Sequence, residues 1–129
     1  TGREYLIELE IHRADPSNNI AKIAYWLHEE KVPRKITVIQ FFSPHYDLKT
    51  GTSAKRKEAE YLGRTLIEKM HHQMYHVVYL EGVSREAFDE IYTSFDIAGT
   101  NRRYEDMKKM ASQVANQINE FIKLEKCVK

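Results

Sequence analysis

Glu8 and Glu10 stand two residues apart in residues 5–13, YLIELEIHR, and His12 continues the same alternation. The surrounding Tyr5, Leu6, Ile7, Leu9 and Ile11 make this a β-strand pattern, in which alternate side chains share a face. Leu6, Glu8, Glu10 and His12 therefore line one face, while Tyr5, Ile7, Leu9 and Ile11 line the other, which reads as facing a core. Acids on the first face have two explanations: an open, solvated sheet surface, or a site that wants negative charge. Cα atoms two residues apart along a strand are separated by roughly 7 Å. Carboxylates at that separation can share a divalent cation, and Mg²⁺ takes a few carboxylate oxygens plus waters.

These residues need a frame to position them. Residues 13–19 read as a loop, because Asp15-Pro16 biases the backbone away from helix and Asn18 or Asn19 can cap the next segment. Ile20, Ile23, Ala24 and Leu27 keep helical spacing, and Val32-Pro33 ends that helix. Residues 35–42, KITVIQFF, are too continuously apolar for a one-sided strand and predict a central one, covered on both faces. Residues 43–53, SPHYDLKTGTS, read as an exposed loop, with Thr52 or Ser53 capping a long helix that runs to about Met74. Its expected ridge is Ala59, Leu62, Leu66 and Met70, with Gly63 allowing close approach of a neighbour. Residues 77–80 predict a third strand ended by Gly82, and Ser84 caps a short helix through Tyr92. Residues 94–101 read as a loop before a last helix near Asn101, with Met107, Ala111, Val114, Ile118 and Phe121 as its stripe.

Strands separated by helices require crossover connections. The predicted fold is therefore α/β, a mostly parallel central sheet flanked by helices in three layers. Open sheets of this kind hold ligands outside the carboxyl ends of their strands. Glu10, His12 and the loops 13–19 and 43–53 fall on that rim.

The segment of residues 7–23, IELEIHRADPSNNIAKI, resembles the acidic strand and following helix of the PD-(D/E)XK nuclease superfamily, the fold of many restriction endonucleases. In that family a strand carries (D/E)-x-K, the acid binding Mg²⁺ and the lysine orienting the attacking water, and some members place glutamate at the lysine position. Glu8-Leu9-Glu10 matches this E-x-E variant, and the resemblance covers about the first third of the chain. It implies a restriction endonuclease-like fold and a Mg²⁺- or Mn²⁺-dependent hydrolysis of DNA phosphodiesters, with Glu8 and Glu10 as catalytic metal ligands. Arg13, Asn19 and Lys22 would then offer donors to phosphate oxygens. The family's second acid, an aspartate on a preceding strand, has no counterpart among residues 1–4. The expectation is one α/β domain over residues 1–129 that lacks N-terminal elements of the full fold.

Other features carry less. Lys49, Lys55, Arg56 and Lys57 cluster beside His45 and Tyr46, and read either as a solvated surface or as a grip on a nucleic-acid backbone. His71, His72 and His76 have no cysteine or carboxylate set to complete a zinc site, and the first two suit a helix C-terminus. Lys and Arg total 20 against 19 Asp and Glu, so a net charge of +1 steers the chain toward no acidic or basic partner globally. The lone Cys127 excludes an internal disulfide and suits a cytoplasmic setting, and no apolar run approaches a membrane span. The partners left open are DNA and a second copy of the chain, through the first strand or the last helix. The contrasting function is a non-catalytic α/β interaction module with a solvated polar sheet face.

Overall fold

The computed structural model describes residues 3–11, 15–29, 35–46, 52–70, 72–81, 88 and 97–127. Strands β1 (Arg3–Glu10), β2 (Lys35–Phe42) and β3 (Met74–Tyr79) form one parallel sheet in the order β1-β2-β3. Helices α1 (Ser17–Glu29), α2 (Thr52–Leu62) and α3 (Ile97–Cys127) complete an α/β fold. The chain divides into two compact units, Thr1–Tyr79 and Leu80–Lys129.

In the first unit β2 is the middle strand, and residues 36–42 are all buried, as their mostly β-branched and aromatic character predicts. Register fixes which side chains share a face: Leu6 aligns with Val38 and Tyr75, Glu8 with Gln40 and Val77, and Glu10 with Phe42 and Tyr79. Ile20, Ile23, Ala24 and Leu27 of α1 pack on Leu6, Val38, Tyr75 and Val77 of this same face. The opposite face is covered too, since Thr37, Ile39 and Phe41, aligned with Tyr5, Ile7 and Leu9, are fully buried, so the departure from the sequence expectation is that the acidic face is also interior. The face carrying Glu8 and Glu10 lies under the helices, whereas Leu9, expected in the core, is 47% exposed and Tyr5 and Ile7 are half-buried.

Helix α1 begins at Ser17, directly after Pro16, which suits a first helical turn. Asn18 and Asn19 thus lie inside the first turn rather than capping it, which leaves the Asn19 amide for another partner. Helix α2 was expected to run on to about residue 74. It instead widens into a π turn over Gly63–Ile67, where Glu68 N donates to Gly63 O at 3.1 Å, a five-residue span. The wider turn rotates the buried ridge onto Ala59, Gly63 and Ile67 and leaves Leu66 38% exposed. Gly63 is needed there because a Cβ would run into the ring of Tyr75. His72, in the left-handed region at φ 70°, ends the segment, and its carbonyl accepts from Arg3 Nη2 at 3.1 Å.

In the second unit α3 starts at Ile97, so residues 97–101, expected as loop, are helical. One glycine in an opening turn costs about 1 kcal/mol, which a helix of 31 residues offsets. Met110 is buried where Ala111 was expected and Ala111 is exposed, while Val114, Ile118 and Phe121 are half-buried. The side-chain amide of Gln113 bonds the backbone of Glu81 in both directions, at 2.9 and 2.6 Å. The expected turn at Val32-Pro33 and, apart from the buried Phe88, the short helix at 84–92 lie outside the described residues.

Candidate functional site

The carboxyl rim of the sheet is built around Glu10, the last residue of β1 and 1% exposed. Ser43 holds the strand end in place: its backbone N–H donates to Glu10 O at 3.0 Å and its hydroxyl to Ile11 O at 2.5 Å. The Glu10 carboxylate accepts two amides on one oxygen. Asn19 Nδ2 donates to Oε1 at 3.0 Å and Gln40 Nε2 donates to the same atom at 3.3 Å. No hydrogen bond to Oε2 occurs among the described residues. Both donors are neutral, so this buried carboxylate has no cationic side chain as a partner among the described residues.

Gln40 is held in turn by Tyr75, whose hydroxyl donates to Gln40 Oε1 at 2.7 Å. Burial, then the charge of Glu60, raises the Tyr75 pKa well above the usual tyrosine value, so the phenol keeps the proton that it donates to Gln40 Oε1, while the Glu10 carboxylate can only accept. That fixes the amide: Oε1 faces Tyr75 and Nε2 faces Glu10. The buried polar chain runs from β3 through β2 to β1 and then to α1. Glu8 is half-buried on the same face, in register with Gln40. Ser17, at the start of α1, donates to Asp15 Oδ1 at 2.5 Å and lies 3.4 Å from Glu58 Oε1.

Farther along the rim, Arg56 of α2 is 5% exposed although Lys55 and Lys57 beside it are exposed. Its guanidinium carbon lies 3.8 Å from the ring centroid of Tyr79, a cation–π contact. Its Nε is buried with no hydrogen-bond partner among the described residues. Glu60, one helical turn on, accepts instead from Tyr79 Oη at 2.6 Å and from Arg64 Nη2 at 3.3 Å. Partial burial, then the bond to Glu60, pushes the Tyr79 pKa up to about 12. His45 and Tyr46, in the 3-10 turn Pro44–Tyr46 after β2, are buried at this end of the sheet.

Among the predicted site residues, the structure brings Glu10 and Asn19 together and places Glu8 on the same face. Lys22 is not brought to them. It is exposed on α1, and at about 100° per residue it points roughly 150° away from the ridge of Ile20, Ile23, Ala24 and Leu27. Arg13, His12 and Lys49 lie outside the described residues. Sequence reasoning missed Gln40 and Tyr75, for which the one available signal was a glutamine inside the apolar run KITVIQFF. Among the described residues no group of three or more His, Cys, Asp or Glu side chains is placed to hold a metal ion, and no helix is long and apolar enough to cross a membrane. No protein-family model, curated protein or solved structure matches this chain.

Proposed function

We propose that the carboxyl rim is a divalent-cation site for hydrolysis of DNA phosphodiesters, in a restriction endonuclease-like domain with Glu8 and Glu10 as the metal carboxylates. The observation that carries this reading is the Glu10 carboxylate: buried, without a cationic partner, and with Oε2 accepting no hydrogen bond among the described residues. A carboxylate whose partners among the described residues are neutral amides still attracts a cation. Two carboxylates also suit Mg²⁺, which completes its shell with waters and substrate phosphates and needs no third acidic ligand. Mg²⁺ or Mn²⁺ bound there would polarise a phosphoryl oxygen and activate water. The chain's own residues set the geometry: Asn19 and Gln40 hold Glu10 Oε1 and so turn Oε2 toward the ligand, and Glu8 adds the second carboxylate.

The amide bonds also favour a second reading, in which Glu10 is a clasp joining β1, β2 and α1 of a non-catalytic module. Titration calorimetry with Mn²⁺ on the wild type, Glu8→Gln and Glu10→Gln separates the two, together with a supercoiled-plasmid assay in Mg²⁺ or chelator. The nuclease reading expects Mn²⁺ binding and metal-dependent nicking in the wild type, both lost in each variant while the circular dichroism spectrum is kept. Wild-type protein that takes up no Mn²⁺ refutes it and leaves the clasp.

A further inference from the structure

Arg56 is the described residue whose chemistry the fold leaves unanswered. Arginine is seldom buried without an acceptor, because a guanidinium carries five N–H donors and a fixed charge. Here the residue is 95% buried, given its 5% exposure, and makes no hydrogen bond or ion pair among the described residues. The acid that would neutralise it, Glu60 at i+4 on the same helix, is taken by Tyr79 and Arg64. Tyr79 then serves as a plate: its hydroxyl donates to Glu60, its ring lies against the Arg56 guanidinium, and Arg56 Nε has no acceptor among the described residues. A stacked guanidinium with no carboxylate partner among the described residues is preorganised for an oxyanion, and its fork matches two oxygens of a phosphate.

The register locates this anchor relative to Glu10. Glu10, Phe42 and Tyr79 form one row across the carboxyl end of the sheet, on one face. Two strand spacings put the Cα atoms of Glu10 and Tyr79 on the order of 10 Å apart, so an anchor stacked on Tyr79 suits a phosphate other than the one beside Glu10. We propose that Arg56 anchors a flanking, non-scissile phosphodiester of a nucleic-acid strand laid along this rim. The inference builds on the function proposed above, yet it makes its own claim about binding, which holds or fails without metal.

The test uses the full chain and a fluorescein-labelled DNA duplex of about one helical turn, with chelator present so that no cleavage intervenes. Anisotropy titrations over a range of salt compare the wild type with Arg56→Met, which keeps length and packing, and Arg56→Lys, which keeps charge without the fork. Arg56→Met should bind about tenfold more weakly and lower the slope of log K against log salt by about one, the signature of one lost phosphate contact. Arg56→Lys should keep the slope and lose part of the affinity. A ¹⁵N spectrum of the wild type reads the same contact without a mutation: the Arg56 Nε–H resonance should shift when the duplex is added. Unchanged affinity and slope in Arg56→Met, or an unmoved Nε–H resonance at saturating duplex, overturns the proposal. A fluorescein-labelled phosphopeptide that binds in an Arg56-dependent way while the duplex does not bind overturns the nucleic-acid assignment. Arg56-dependent binding in a protein that never nicks plasmid would leave this inference standing and remove the nuclease; nicking with Arg56-independent binding would do the reverse.

Discussion

Replacing Tyr75 with Phe removes one oxygen and keeps the ring that fills the space over Gly63. The lost group is the donor at 2.7 Å to Gln40 Oε1, at a site where Tyr75 is 2% exposed and Gln40 fully buried. A buried acceptor left without its donor costs about 1–3 kcal/mol. At roughly 4 °C per kcal/mol for a chain of this size, the melting temperature should fall by about 4–12 °C. The same hydroxyl orients the Gln40 amide toward Glu10, so the two residues must be energetically coupled. A double-mutant cycle of Tyr75→Phe and Gln40→Leu, read by urea denaturation, should give an interaction energy of about 1–2 kcal/mol, because removing both partners costs less than the sum of single losses. Additivity within about 0.3 kcal/mol would show that the hydroxyl does not hold Gln40, and the orientation argued for Glu10 Oε2 would lose its basis.

The π turn makes a sharp contrast between neighbours: Ile67→Ala should destabilise the fold by about 2–5 kcal/mol, and Leu66→Ala by no more than about 0.5 kcal/mol. Equal effects in urea melts would contradict the ridge of Ala59, Gly63 and Ile67. Tyr79, with its pKa raised to about 12, should ionise late in an alkaline absorbance titration, with Tyr75 later still, and Tyr79→Phe should delete the component near 12. Because its folded pKa lies above the unfolded value of about 10, its stabilising contribution is complete below that pH. It fades as pH rises toward 12. A wild-type titration with every tyrosine ionising near 10 would refute the Tyr79–Glu60 bond.

Much of the frame was legible from residue order and type. Hydrophobic periodicity placed β1, α1, β2 and the last helix, and the crossover rule made the sheet parallel, because these features depend on near neighbours in the chain. The pairing of Glu8 and Glu10 on one strand face is likewise a property of the backbone repeat. That the acidic face would be interior was not legible. An alternation of Tyr, Ile and Leu against Glu reads as apolar in and polar out, but burial is settled by where α1 and α2 pack, and they cover the Glu8 and Glu10 side. Glu10 tolerates burial because Asn19, nine residues on, and Gln40, thirty residues on, arrive as donors. No local pattern carries such pairings.

The same holds at Arg56. In sequence it is one of three consecutive basic residues, indistinguishable from Lys55 and Lys57. Helix phase turns it inward, Tyr79 from β3 supplies the plate, and Glu60 is drawn off by Tyr79 and Arg64. The sequence by itself determined the order of elements, the parallel sheet and the spacing of the two carboxylates, since each depends on residue types within a few positions. Only the tertiary structure decided which acid is desolvated, which amides hold it and which arginine has no counter-charge among the described residues. Those depend on side chains that meet across strands and helices, where burial strengthens every electrostatic preference.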